Sequence, residues 1–367
     1  MKDESFINLD APSLDGNERK YLNECIDTGW VSWQGDFVGR TEKYMREYCG
    51  TKHCLTVVNG TYAMVMALQA LGIGPGDEVI VPTLTMSASA FPVTSVGGKV
   101  VWVDCIKNGF VIDPEHLKSK ITNKTKAVVA VHLYGRAVDM NALKQITEPL
   151  GIPIIEDVAE GLGASFDGIM AGFSGDISCH SYHNKIVASG EGGAITLNDD
   201  TLHEKLIKLR TASPNNYEMD SIALNNRMSN ISSAVALAQL ERIEHLIEKR
   251  RNVARLYDEG LEGINGIKTY PENEKERCVY WRYQIGVLPE FRISKLELIS
   301  ELEKKNISTR TIFSLMSESP AYKNENDPAS NYPNSLEATS LALDLPTSPI
   351  LTDGQVLRVI DAIRELS

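Results

Sequence analysis

Several features that would place the sequence in a large functional class are absent. None of its six cysteines belongs to a CxxC pair, so neither a zinc site nor a disulfide framework is indicated. No apolar run approaches the roughly 18 residues that a membrane-spanning helix needs. No basic stripe is present, and a net charge of −12, from 49 acidic and 37 basic residues, would repel a nucleic-acid backbone. We therefore expect no metal, no membrane segment and no nucleic-acid partner.

The composition fits a soluble globular protein. Residues 1–5 are polar and precede no signal-type apolar block, so we expect a cytoplasmic protein. Hydrophobic residues make up 43% of the 367 positions, which is enough for a sizeable core, and the length suggests two domains. We predict a large domain over residues 1–245 and a small C-terminal domain over 246–367.

Strand-like and helix-like segments alternate through the first 200 residues. Strands are predicted near 53–58, 78–81, 100–103, 127–131 and 152–157, and helices near 62–71, 84–95, 114–121 and 140–150. Repeated βα units predict an α/β fold with a mostly parallel sheet and helices on both faces. Beyond this region we predict one long helix over 229–261, a strand over 280–287, a helix over 295–305, a polar loop and a closing helix over 355–366.

The first strand-to-helix turn is a candidate phosphate site. Asn59, Gly60 and Thr61 follow the strand and open the next helix. A helix start presents free N–H groups and the positive end of the helix dipole, which favour a phosphate. Asn59 and Thr61 fit ordinary N-caps equally well. The glycines at 72–76 do not have the spacing of a dinucleotide fingerprint.

Two carboxylates end the strand over 152–157. Glu156 and Asp157 therefore lie at the carboxyl edge of the sheet, where open α/β sheets bind their ligands. Either residue could instead cap the short helix that follows. The sequence alone leaves both interpretations open.

Lys185 lies on a glycine-rich connection between two strand-like runs. Its amine could reach a cleft and condense with a carbonyl cofactor, or it could be a surface lysine beside a hairpin. The nearby His180 and His183 fall on opposite faces of an extended run, which argues against a metal site. Trp30 and Trp33 form either a lip over a cleft or a packing contact with a neighbour.

Taken in order, these motifs resemble the DegT/DnrJ/EryC1/StrS family of pyridoxal-phosphate-dependent sugar aminotransferases. The matching segments are 59–61, 76–83, 131–135, 156–157, 184–185, 190–193, 225–228 and 239–240. Each motif is unspecific, but the ordered set, which spans residues 7–260, is specific. The resemblance implies the aspartate-aminotransferase-like (type I) fold, with a smaller C-terminal α+β domain and pyridoxal 5′-phosphate (PLP) as cofactor.

The resemblance also implies roles for individual residues. Lys185 would bind PLP covalently and then move a proton between the substrate carbon and the cofactor. Asp157 would pair with the pyridine nitrogen, and Glu160, where many relatives have glutamine, would approach the ring hydroxyl. Gly60 and Thr61 would hold the phosphate.

At other positions this sequence departs from the family pattern. The phosphate-binding serine of relatives lies five residues before the lysine, so either Ser181 or His180 takes that place, and Ser181 is favoured. Met86 stands where relatives usually have an aromatic residue stacked on the cofactor ring. Asn225 would reach the phosphate of the neighbouring subunit, which implies a homodimer with shared active sites. Tyrosine is usual where Asn226 stands.

The resemblance is strongest to 4-aminotransferases that make perosamine-type sugars. It implies amino transfer from L-glutamate to a nucleotide-linked 4-keto-6-deoxy sugar. One alternative is a PLP-dependent dehydratase of the same fold, but dehydratases of this family replace the lysine, commonly with histidine. Another is a non-catalytic, sugar-sensing homologue, against which the presence of Lys185 and Asp157 argues.

Overall fold

A seven-stranded sheet is the centre of the computed structural model, which describes residues 5–211 and 224–367. In spatial order its strands are β1 (His53–Val57), β9 (Gly193–Leu197), β8 (Ile177–Ser181), β5 (Ile154–Asp157), β4 (Thr125–Val131), β2 (Glu78–Pro82) and β3 (Lys99–Val103). The five strands from β8 to β3 are parallel, whereas β9 is antiparallel to both β1 and β8. The mostly parallel sheet predicted from the sequence is confirmed.

Helices cover both faces of this sheet. They are α1 (Glu18–Thr28), α2 (Asp36–Cys49), α3 (Gly60–Ala70), α4 (Ser87–Ser95), α5 (Pro114–Lys120), α6 (Met140–Thr147), α7 (Asp200–Arg210) and α8 (Asn230–Leu240). In β4, Val129 packs into one hydrophobic core while its neighbours Val128 and Ala130 pack into another. Successive side chains of a strand point to opposite faces, so an apolar strand of this kind needs cover on both sides.

The C-terminal region is a second, α+β unit. Strands β10 (Ile267–Thr269), β12 (Tyr283–Val287), β14 (Ala342–Leu345) and β13 (Arg310–Thr311) form an antiparallel sheet in that order. Its helices are α9 (Ile243–Leu261), α10 (Lys295–Lys304), α11 (Pro333–Leu341) and α12 (Asp353–Glu365). A three-stranded sheet joins β11 (Glu276–Arg277) to β6 (Ser165–Phe166) and β7 (Ile169–Met170). No helix among the described residues is long and apolar enough to cross a membrane.

The single long helix predicted over 229–261 is wrong, because the chain breaks between α8 and α9. Glu241 and Arg242 occupy the break, and both are tied to the N-terminal part of the chain. Glu241 accepts a 2.8 Å hydrogen bond from the Tyr21 hydroxyl, and Arg242 pairs with Asp15. These contacts with distant residues compete with a continuous helix, and local periodicity cannot reveal them.

Other element boundaries also differ from the prediction. Helix α4 begins at Ser87 rather than at residue 84, because Leu84 forms a strand-like bridge with Leu315. Strand β12 begins at Tyr283 rather than at residue 280, because Tyr280 has a φ of 47° that is incompatible with a strand. The region predicted as a polar loop after residue 305 contains β13, α11 and β14.

Helix α9 connects the two parts of the chain. Near its start Ile247 packs into the core of the large sheet, whereas Tyr257 packs into the second core. Ile7 also packs into the second core and forms a parallel bridge with Ile307. The division at residues 245 and 246 falls within this helix and stays a prediction.

A buried arginine on α9 links four stretches of the chain. The Arg250 guanidinium donates to the backbone oxygens of Thr347 (2.6 Å), Trp281 (3.2 Å) and Lys185 (3.3 Å). It also pairs with Asp10 at 3.2 Å, and Arg282 lies 3.2 Å from the same carboxylate. All three charged side chains are almost fully buried.

We expect Asp10→Asn to lower the free energy of unfolding by about 3 kcal/mol, because it leaves two buried guanidinium groups without their counter-charge. Chemical denaturation would measure the change. Glu259→Gln, in the exposed pair formed by Arg255 and Glu259, is the control and should cost less than about 1 kcal/mol. Equal, small losses in both variants would contradict a stabilising role for Asp10.

Candidate active site

The two carboxylates that end β5 have different surroundings. Glu156 is fully buried and accepts hydrogen bonds from the backbone N–H groups of Gly172 (2.8 Å) and Ser174 (2.9 Å). His132 accepts from the Val138 N–H through Nδ1, so its Nε2 carries the hydrogen that it donates to Glu156 at 2.9 Å. Glu156 therefore has a structural role, because its hydrogen bonds join β5 to His132 and to the turn at residues 172–174.

Asp157 lies at the carboxyl edge of the sheet with its carboxylate held in place. The Ser89 hydroxyl on α4 donates to Oδ2 at 2.7 Å, and the Ala159 N–H donates to Oδ1 at 3.1 Å. Ser89 is itself hydrogen-bonded to Thr85 at 2.9 Å. The carboxylate thus caps the next turn through one oxygen and is oriented by α4 through the other.

Lys185 is buried, so the interpretation of it as a surface lysine is wrong. Its side chain is 8% exposed, and Nζ lies 3.1 Å from Glu160 Oε1. The other oxygen of Glu160 accepts from the Tyr134 N–H at 2.8 Å. Burial raises the pKa of the Glu160 carboxyl, although the Lys185 ammonium and the Tyr134 N–H lower it in part. The structure brings together the residue that the resemblance assigns to the cofactor aldehyde, Lys185, and the residue that it assigns to the ring hydroxyl, Glu160.

The start of α3 forms a cradle without side-chain bulk. A Cβ placed on Gly60 would lie only 2.7 Å from Ser181 Cβ, and one on Gly193 would lie 3.0 Å from the Gly60 nitrogen. The Asn59 side chain caps the helix by accepting from the Tyr62 N–H. Gly60 and Thr61 open the helix, so their N–H groups have no partner within it. The glycines therefore allow close packing that holds Ser181 beside the free N–H donors of this cradle.

Ser181 and His180 lie on opposite faces of β8. Ser181 adjoins Gly60 at the helix start, whereas His180 is buried and lies 2.9 Å from the Thr196 hydroxyl. Burial lowers the pKa of His180 to about 4, which keeps its ring neutral. Of the two residues, Ser181 has the place that a phosphate-binding side chain requires.

Three of the predicted site residues, Thr61, Met86 and Asn225, are exposed. Met86 precedes α4 and is 43% exposed. Asn225 is exposed and accepts a 2.7 Å hydrogen bond from Arg227, whose guanidinium lies 4.6 Å from the centre of the exposed Trp33 ring. In the described part of the chain, no hydrogen bond or ion pair links Asn225 to the other site residues. Asn226, in contrast, is buried and donates to the Leu209 carbonyl.

Sequence reasoning missed the aromatic wall of the site. The Trp281 ring centre lies 3.6 Å from Lys185 Nζ, and the rings of Tyr134 and Phe313 lie nearly parallel to it at 6.4 Å. Trp281 and Phe313 come from the C-terminal unit, and their positions depend on how that unit packs. Tyr134 lies within a segment that carried the family resemblance. Its φ of 60° is unusual and is a feature often found at functional sites, but it is visible only in the structure.

These residues fit PLP. The cradle suits its phosphate, the oriented Asp157 carboxylate suits a pyridine N–H, and the amine of Lys185 suits its aldehyde. Asp157 ends β5, and Lys185 follows the neighbouring parallel strand β8, which ends at Ser181. The ligand site is thus at the sheet edge expected for this fold class.

Comparisons with known proteins identify the family of this chain. Residues 12–364 match the DegT/DnrJ/EryC1/StrS aminotransferase family. The chain is 37% identical to GDP-perosamine synthase of Vibrio cholerae, over 98% of each chain. It is 39% identical to GDP-perosamine synthase of Caulobacter vibrioides, over 100% of each chain.

Solved structures show the same fold. DesV of S. venezuelae is 32% identical, with a TM-score of 0.89 over 95% of this chain and 94% of its own. The putative sugar aminotransferase Spr1654 of Streptococcus pneumoniae, in its PMP form, is 26% identical, with a TM-score of 0.93 over 99% and 98% of the two chains. This chain therefore belongs to the DegT/DnrJ/EryC1/StrS aminotransferase family and is a PLP-dependent aminotransferase.

Proposed function

We propose that the protein transfers the amino group of L-glutamate to C4 of a GDP-linked 4-keto-6-deoxymannose, which gives a perosamine-type sugar. The observation that carries the proposal is the buried Lys185 beside Glu160, at the same sheet edge as Asp157 and the open start of α3. The choice of substrate rests on three relatives named GDP-perosamine synthase, which are 34% to 39% identical over nearly the whole chain.

Each residue contributes a separate physical action. When bound, PLP supplies an electron-accepting ring that makes a proton on the attached carbon acidic. Asp157 holds the pyridine nitrogen protonated, and Ser89 fixes the direction of that carboxylate. Lys185 would act as the base that accepts the proton from the substrate carbon and as the acid that gives it back. Gly60, Thr61 and Ser181 hold the phosphate.

Glu160 and Met86 contact the cofactor ring in this proposal. Glu160 faces the ring hydroxyl, and its carboxylate is held by the Tyr134 N–H. Met86 packs on the ring through its polarizable sulfur, where an aromatic residue is usual in the family.

The dehydratase and sensor alternatives fit the site less well. A dehydratase of this family needs a cofactor that is not covalently held, whereas Lys185 is buried with its amine in the site. His180, which could have replaced it, is turned away and bonded to Thr196. A sensor without turnover has no need of the oriented Asp157 carboxylate.

We expect the purified protein to form a perosamine-type sugar nucleotide from L-glutamate and GDP-linked 4-keto-6-deoxymannose, detected by mass spectrometry. UDP- and dTDP-linked keto sugars should be poorer substrates. Lys185→Ala should abolish the product, because it removes the amine that lies beside Glu160 in the site. Borohydride should fix the cofactor on Lys185 of the parent protein. A label on another lysine would contradict the assignment of Lys185.

We expect Asp157→Asn to lower kcat by about a hundredfold or more, because a neutral amide cannot hold the ring nitrogen protonated through an ion pair. The visible absorbance of the bound cofactor should shift as well. The matched variant is Glu156→Gln on the same strand, which should reduce thermal stability and leave the absorbance band in place. If Asp157→Asn keeps activity within a few-fold of the parent, another group holds the ring nitrogen.

The proposal includes a homodimer whose active sites are shared. Asn225 and Arg227 form an exposed polar pair, and Trp33 beside them is 39% exposed. Exposed tryptophans of this kind are typical of protein interfaces. A doubly charged phosphate also needs more donors than one helix start supplies, and the Asn225 amide of a second subunit can add one.

Mixing Lys185→Ala and Asn225→Ala subunits tests the shared site, because each homodimer should be nearly inactive. In a mixed dimer one site carries both lesions and the other carries neither. After random exchange, activity should return to about a quarter of the parent, since half of the dimers are mixed and each has one intact site. No recovery, with exchange verified by native mass spectrometry, would show that each site is built from one chain.

A further inference from the structure

The amine of Lys185 lies in a slot with one charged wall and one aromatic wall. Glu160 Oε1 is 3.1 Å from Nζ, and the Trp281 ring centre is 3.6 Å from the same atom. Both walls are buried, with Trp281 3% exposed and Glu160 4% exposed. An aromatic face attracts a cation through the ring quadrupole, and this attraction increases where water is excluded. A neutral amine has no such gain.

The Trp281 ring is fixed to the same backbone that carries the lysine. Its Nε1–H donates to the Asn184 carbonyl at 3.3 Å, one residue before Lys185. Arg250 donates to the backbone oxygens of both Trp281 and Lys185. The Trp281 ring and the Lys185 amine are therefore positioned by the same set of backbone hydrogen bonds, although the two residues lie almost a hundred positions apart.

Tyr134 joins the two walls. Its N–H donates to Glu160 Oε2, while its ring lies 6.4 Å from the Trp281 ring with only 9° between their planes. The Tyr134 hydroxyl accepts from the Phe313 N–H at 3.0 Å, which fixes the ring from the far side. Tyr134 adopts a φ of 60°, a conformation that residues other than glycine seldom have. The two walls are thus joined through a residue whose backbone conformation is uncommon.

We propose that Trp281 is a positioning residue for the reaction, and that it holds the amine of Lys185 with Glu160 whenever that amine is free of the cofactor. The proposal rests on the role proposed above for Lys185. When the C–H bond of the substrate breaks, its electron pair stays with the substrate carbon, where bound PLP would stabilise it. The proton forms an N–H bond at Nζ, and the amine becomes a cation. The slot stabilises this charged stage and keeps the amine directed at the reacting carbon.

Two substitutions of Trp281 distinguish an effect of its aromatic face from an effect of packing alone. Trp281→Phe keeps an aromatic face, whereas Trp281→Leu removes it. Trp102→Leu is the matched control, because Trp102 is also buried but lies on β3, four strands from β8 in the sheet. Thermal unfolding of all three proteins would establish that they are folded, and Trp281→Phe keeps the test available if the leucine variant is unstable.

The first measurement is the acetylation rate of Lys185 in the whole chain after hydroxylamine has released the cofactor from the lysine and dialysis has removed it. Acetic anhydride reacts only with the uncharged amine, and mass spectrometry reads each lysine separately. We expect Lys185 to react roughly three- to tenfold faster in Trp281→Leu than in the parent, with Trp281→Phe between them. Trp102→Leu should match the parent.

The second measurement is steady-state kinetics of the cofactor-loaded enzyme. A positioning role for Trp281 predicts that kcat falls in Trp281→Leu while KM for glutamate stays within about twofold, with partial recovery in Trp281→Phe. Equal acetylation of Lys185 in the parent and both Trp281 variants would overturn the proposal. An equal increase of the Lys185 acetylation rate in Trp102→Leu and in Trp281→Leu would overturn it as well. Fixation of the cofactor by borohydride on a different lysine would instead overturn the proposed role of Lys185.

Discussion

The buried Arg250 guanidinium is the contact on which the site depends. It binds backbone oxygens from the lysine turn, the Trp281 segment and the stretch after β14, and its charge is balanced by Asp10 from the N-terminal segment. A buried ion pair loses its hydration, so it is stable only when all its partners are in position. The network therefore favours one arrangement of four distant segments over looser alternatives, and Lys185 is held within that arrangement.

Much of the large unit could be predicted because its signals are local. The buried strand at 127–131 and the Asn59 turn each depend on neighbouring residues, and each has its predicted form. Asp157 and Lys185 could be identified as candidates for the same reason, since each directly follows or connects strands. The cofactor could be predicted only from the order of the family motifs, because no single segment identifies it.

The remainder depends on contacts between residues far apart in sequence. The break after α8 requires Tyr21 and Asp15, and the aromatic wall requires Trp281 from the C-terminal unit. The choice between Ser181 and His180 is a further example. Alternation along a strand places them on opposite faces, but only the packing of α3 shows which face adjoins Gly60.

The contact between Ile7 and Ile307 has a consequence for biosynthesis. Domains generally form in the order in which a ribosome releases them, and the large sheet needs only residues up to Leu197. The segment that carries Ile7 and Asp10 must wait for strands and turns made some 300 residues later. The sheet can therefore form during translation, whereas the lysine turn is locked only when the last part of the chain emerges. A site that needs the Lys185 turn in this position is therefore completed only after residue 347 has been made.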